Sequence, residues 1–101
     1  NPTMVNHLKS KAINLQRMIN FSENDTIIDI GSNDGTLLNY FKKNNLRTLG
    51  IEPAEEIANI ANKNGINTIC SYFNREIVNK IINKKEGCQK HNCSERNVMA
   101  N

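Results

Sequence analysis

Between Thr26 and Phe41 the chain reads TIIDIGSNDGTLLNYF. Asp29, Gly31, Asn33, Asp34 and Gly35 suit neither strand nor helix, yet they stand between two apolar runs. Glycine takes positive φ and lets a ligand come close to the backbone. Asn is one of the few other residues that tolerates left-handed geometry. Asp29 ends the first apolar run and can turn a carboxylate toward whatever the turn binds. In a parallel α/β sheet, ligands bind outside the carboxyl ends of the strands, where such turns lie. The same residue types also build ordinary tight turns, so the turn alone does not decide. Glu52 is the second mark. It closes another apolar run about twenty residues on, where an acid can accept hydrogen bonds from the ribose hydroxyls of an adenosine ligand. A solvated acid at a strand end is the plainer alternative, but the position just before Pro53 and a helix sets Glu52 apart.

The turn also discriminates between adenosine ligands. A dinucleotide site wants G-x-G-x-x-G, so that the pyrophosphate rests on a helix N-terminus. Here the order is Gly31-Ser32-Asn33-Asp34-Gly35-Thr36, with Asn and Thr at the second and third glycine positions. Asp34 would also bring negative charge toward a diphosphate. S-adenosylmethionine carries no phosphate. It has a sulfonium and an amino group that seeks acceptors such as Asp29. The chemistry favours the methyl donor over NAD. A dinucleotide-binding oxidoreductase fragment and a truncated, inactive chain are the alternatives.

The surrounding pattern predicts the elements that hold this turn. Met4, Val5, Leu8, Ala12, Leu15 and Ile19 recur at helical spacing, which predicts an amphipathic helix over 3–20, capped by Thr3 with Pro2 just outside. The β-branched run TIIDI predicts a buried strand over 26–30. TLLNYFKKNN is a helix ending in Asn residues that tolerate C-cap geometry. RTLGIE, over 47–52, is a second strand. Pro53 then opens a helix with Glu55 and Glu56 in its first turn, Ile57, Ile60 and Ala61 inward, and Gly65 at its end. NTICSYF is a third strand running into a loop. NREIVNKIIN is a further helix, with Ile77, Val78, Ile81 and Ile82 on one side. This alternation predicts an α/β fold, a Rossmann-like parallel sheet with flanking helices. Residues 1–86 read as a partial donor-binding domain with an N-terminal helix. Residues 87–101 read as an irregular tail where a fourth strand belongs. Three strands alone leave an apolar sheet edge, and self-association through it is expected.

Composition narrows the function class. With 101 residues there is room for one small domain. No apolar run approaches the length of a membrane helix, and no secretory pattern opens the chain. The formal charge of +3 is carried by short pairs such as Lys42-Lys43 and Lys84-Lys85, without interleaved aromatics, so solvated faces are favoured over a nucleic-acid surface. Three cysteines, Cys70, Cys88 and Cys93, argue against a disulfide framework, and a cytoplasmic setting is expected. Cys88, His91 and Cys93 cluster, but they lack a fourth ligand at zinc spacing, so free thiols are expected and no metal. A lone His7 on a helix reads as a surface residue rather than a base.

IIDIGSNDGTLL, followed by LGIEPAEEIANIANKNGI, resembles the class I S-adenosylmethionine-dependent methyltransferases. More narrowly, with TMVNHL upstream and RNVMAN at the end, it is similar to sugar C-methyltransferases that act on nucleotide-linked deoxy-keto-sugars. The resemblance implies S-adenosylmethionine as cofactor and a nucleotide-linked sugar as the small-molecule substrate. It implies that Asp29, Gly31, Ser32, Asn33 and Gly35 line the methionine and ribose portions, that Glu52 holds the ribose hydroxyls, and that Pro53 lies beside the adenine. Tyr72 and Phe73 follow the third strand, where an aromatic can cover the adenine; a core role is equally open. Asn97 falls where the loop after the fourth strand would approach the donor, although an ordinary loop Asn is favoured. The family's cysteine-rich zinc module and its later His/Glu-bearing segment have no counterpart here. Catalytic groups are therefore expected outside this chain, which alone is expected to be inactive.

Overall fold

A computed structural model describes residues 2–22, 24–86 and 96–99. Their order is α1 (Pro2–Met18), β1 (Asp25–Ile30), α2 (Thr36–Lys43), β2 (Arg47–Ile51), α3 (Glu55–Lys63), β3 (Thr68–Ile69), α4 (Arg75–Glu86) and β4 (Arg96–Met99). The strands form one parallel sheet in the order β3-β2-β1-β4. The expected α/β architecture is present. The order steps outward from β1 through β2 to β3, then returns to the other side of β1 for β4. That return makes the carboxyl end of β1 a switch point, where the strand order reverses.

Two helices end by the same device. Asn45 and Gly65 take positive φ, 63° and 84°. Asn45 N–H donates to the Lys42 carbonyl, and Leu46 N–H reaches back to Phe41 at 3.2 Å. Gly65 and Ile66 repeat this pattern on Asn62 and Ala61. Both are Schellman caps, in which a left-handed residue turns the chain and the next apolar residue packs on the last turn. Leu46 and Ile66 thereby enter the core beside Phe41 and Ala61. The Asn and Gly signals at these helix ends act as expected.

Several boundaries differ from expectation. α1 already includes Pro2 and Thr3, since proline is tolerated in a helix's first turn. α3 begins at Glu55 rather than Pro53. Ala54 N–H is taken by Glu52 Oε2 at 2.8 Å, which holds Ala54 extended at φ −76°, ψ 110°. β3 is two residues long, and Cys70 beyond it is exposed. Asn62 of α3 donates to the Thr68 carbonyl at 2.9 Å and accepts from Thr68 N–H at 2.8 Å. A side-chain amide thus occupies the outer backbone groups of that edge strand.

The tail needs the largest correction. No convincing fourth strand is legible there, yet Arg96–Met99 pairs in parallel with β1, from Asp25↔Arg96 to Ile28↔Met99. A strand of four residues is too short for alternation to announce it, and tertiary pairing supplies what local pattern does not. The sheet expected to have three strands and an open edge therefore has a fourth, β4, beside β1. Residues 87–95, with the Cys88, His91 and Cys93 cluster, lie outside the described residues, as do 100 and 101.

Burial sorts the apolar residues by sheet face. Ala12, Ile27, Leu37, Leu38, Phe41, Ala61 and Ile66 form one buried cluster, with Leu8, Leu15, Phe21, Tyr40 and Leu46 packed against it. Phe21 meets Phe41 edge-on at 6.0 Å between ring centroids. On the opposite face Ile28, Ile51 and Ile77 form a smaller cluster, flanked by Leu49, Ile69 and Ile81. Ile60, expected inward, is exposed, as are Met4, Val5 and Ile82. Ala58 is buried on α3 instead, since the inward stripe runs through Ile57, Ala58 and Ala61, at helical spacing, and leaves Ile60 off it. No helix among the described residues is long and apolar enough to cross a membrane.

Candidate functional site

The site is built on the carboxyl ends of β1 and β2. As β1 ends, Gly31 N–H and Ser32 N–H both donate to the Ile51 carbonyl, at 2.8 and 3.2 Å, which ties the β1–α2 loop to the last residue of β2. Gly31, Asn33 and Gly35 all take positive φ, 72°, 55° and 84°. Their types in the sequence are explained by this alternation of left-handed positions. Asn33 Nδ2 also donates to the Gly31 carbonyl at 3.1 Å, and Gly35 N–H to Ser32 at 3.1 Å.

The two key glycines serve different ends. A Cβ on Gly31 would meet nothing within 4 Å. A Cβ on Gly35 would lie 2.8 Å from Ile66 Cγ2. Gly31 leaves its backbone open to a ligand, whereas Gly35 makes room for the core. Gly50 is a third such position, which the sequence reading passed over. A Cβ there would fall 2.4 Å from Ser32 Oγ and 3.0 Å from Thr68 Oγ1. Ser32 is buried against this gap, and its Oγ has no hydrogen-bond partner among the described residues. A glycine inside a strand was the available signal for such a close approach.

Glu52 is 6% exposed, and both of its oxygens help shape the loops. Its Oε1 accepts from Asn33 N–H at 3.0 Å and its Oε2 from Ala54 N–H at 2.8 Å. One carboxylate therefore clamps the β1–α2 loop to the β2–α3 loop. A carboxylate offers about four lone-pair sites, so each oxygen keeps one more acceptor position. Asp34 stands one residue before Gly35, the N-cap of α2; its Oδ1 accepts from Thr36 N–H at 3.1 Å and from Thr36 Oγ1 at 2.6 Å. The N-terminus of α2 thus already carries a carboxylate.

An open pocket lies beside this loop, lined by Leu8 and Lys11 of α1, by Asp29, Gly31, Ser32, Asn33 and Asp34, and by Thr36 and Leu37 of α2. Asp29, Gly31, Ser32 and Asn33 of the expected site residues meet there. Gly35 does not line it, being turned toward Ile66, and neither do Glu52 and Pro53. Pro53 sits beside β3, its carbonyl accepting from Cys70 Sγ at 3.6 Å. Tyr72 and Phe73 are exposed, 75% and 47%, which removes the core-aromatic reading. Their loop stays near the clamp, because Ser71 N–H donates to the Glu52 carbonyl at 3.2 Å. Asn97 is corrected: it lies inside β4, not in a loop after it, and its register partner is Thr26. Thr26 lies three positions before Asp29, which puts that level about 10 Å along the strand from Asp29 and farther still from the loop. Leu8 and Lys11 are lining residues that the sequence reading missed. Their signal was a cation on the inward stripe of α1, between Leu8 and Leu15.

No family model matches the chain. The chain is 28% identical, over 79 residues, to the C-methyltransferase NovU of Streptomyces niveus, covering 78% of this chain and 19% of that protein. Among solved structures it resembles the plantazolicin methyltransferase BpumL in complex with a monoazolic desmethylPZN analog and SAH (27% identity, TM-score 0.50, 68% of this chain and 28% of that one). A second BpumL structure, in complex with SAH, matches at 24% identity and a TM-score of 0.51, over 85% of this chain and 31% of that one. The chain thus spans about a fifth of the length of the curated relative and under a third of the solved chains. Strand order, helix placement and these likenesses agree: the chain has the Rossmann-like α/β fold found in these methyltransferases.

Proposed function

We propose that this chain is the S-adenosylmethionine-binding portion of a methyltransferase. The observation that carries the reading is the β1–α2 loop, with its open left-handed Gly31 beside Asp29 and its α2 N-terminus occupied by Asp34. The gap at Gly31 fits a ligand that approaches the backbone. The Asp34 carboxylate stands where a dinucleotide's pyrophosphate would rest, and two like charges there repel. A sulfonium ligand with an amino group suits the same acidic lining. The resemblance to NovU, a C-methyltransferase, and to BpumL solved with SAH supports the reading.

When bound, the donor supplies an electrophilic methyl group on a cationic sulfur. The chain's own residues would bind and orient it. Asp29 would accept from the amino group, and Gly31 would let the backbone approach. The two remaining acceptor positions of Glu52 would take the ribose hydroxyls, next to the clamp it already makes. Tyr72 and Phe73, exposed on the neighbouring loop, would cover the adenine, with Pro53 beside it. Preorganised positioning and electrostatics are what such a cradle contributes.

The finer reading is C-methylation of a nucleotide-linked keto-sugar in the whole protein. There a base would remove a proton from the carbon next to the ketone, and the enolate would attack the methyl group in line. No catalytic residue is assigned among the described residues. Calorimetric titration with S-adenosylmethionine, S-adenosylhomocysteine and NAD tests the donor reading. The first two should bind and NAD should not; binding of NAD alone would overturn it. The 101 residues by themselves should transfer no radiolabelled methyl group to a nucleotide-sugar, and turnover would show that catalytic groups lie within them.

A further inference from the structure

The amino-acid end of the proposed donor is a zwitterion, and the acidic lining serves only half of it. Asp29 and Asp34 stand on the loop side of the pocket. The facing wall is α1, held to the core by buried Ala12 with Leu8 and Leu15 packed beside it. Lys11 precedes Ala12 on that inward stripe and is half-buried at the pocket. It is the one cation among the lining residues, and it makes no ion pair among the described residues. A lysine held on a helix's inner face, without a carboxylate partner among the described residues, has its charge available to a ligand. Resting on the donor reading above, we propose that Lys11 of α1 binds the carboxylate of the donor's methionine end, opposite the acids that take its amino group. The N-terminal helix is then one jaw of the donor site and not only a cover for the sheet.

The plainer role for Lys11 is a stem packed along Leu8 with its ammonium in water. A pair of ligands separates the two. S-adenosylhomocysteine carries the amino-acid end, whereas 5′-methylthioadenosine keeps the adenosine and sulfur but lacks it. Calorimetry on the parent, Lys11→Met and Lys11→Arg should show S-adenosylhomocysteine weakened about tenfold or more by Lys11→Met, as expected for a charge-assisted contact. The methylthioadenosine affinity should stay within about twofold, and Lys11→Arg should restore most of the loss. Unchanged S-adenosylhomocysteine binding in Lys11→Met overturns the inference. So does an equal weakening of both ligands, which marks a structural role. If the parent binds neither ligand, the donor reading itself fails and the inference falls with it.

Discussion

The two faces of the sheet are unequal. Among the described residues, one carries seven buried apolar residues drawn from α1, β1, α2, α3 and the turn after α3, with five more packed on them. The other carries three described ones, from β1, β2 and α4. The division begins with neighbours: Ile27 and Ile28 are both buried but belong to opposite clusters, because successive strand residues point to opposite faces. The pocket opens on the thick side, where Leu8, Lys11 and Leu37 come from helices already locked to the core. A site that must hold a ligand in one geometry is better supported by elements whose own packing is settled.

The comparison can be broken most easily at its two cores. Phe41→Ala should cost about 3–5 kcal/mol of stability, since a fully buried ring leaves a large cavity. Ile77→Ala should cost about 2 kcal/mol, near the low end for such a truncation, because fewer buried neighbours surround it. Urea denaturation of both variants checks this; equal losses would erase the distinction between the faces.

A second pair separates binding from packing within one loop. Gly35→Ala should destabilise by about 1–3 kcal/mol, because its methyl would overlap Ile66. Gly31→Val should lose about 1–2 kcal/mol from left-handed strain and abolish measurable S-adenosylhomocysteine binding. Thermal melts and titration together read the contrast. Retained ligand affinity in Gly31→Val would mean that the open side of the loop is not the donor's approach.

Glu52→Ala should weaken S-adenosylhomocysteine binding by about 1–3 kcal/mol and lower stability as well, since Asn33 and Ala54 N–H both lose their acceptor. A stability loss with unaltered affinity would leave Glu52 as a loop clamp alone. The smallest effect is expected from Asp34→Ala, about 1 kcal/mol of stability through loss of its two hydrogen bonds to Thr36 at the start of α2. Denaturant midpoints resolve a change of that size.

The sequence by itself determined the local events. Periodicity placed four helices and three strands in the right order, and the residue types at 31, 33 and 35 announced left-handed backbone before any contact was known. Asn45 and Gly65 did the same for two helix ends. These are properties of a few adjacent residues, so short windows carry them. Tertiary structure decided everything that joins distant segments. It buried Ala58 and left Ile60 exposed. It recruited Arg96–Met99 as a strand beside β1 and placed Asn97 at the level of Thr26. It made Glu52 a clamp on Asn33, 19 residues away. It set Gly50 against Ser32, and Lys11 at the pocket with Asp29. Each of these depends on which strand lies beside which and how closely a helix approaches the sheet. Such distances arise only when the whole sheet closes, and no window of neighbouring residues contains them.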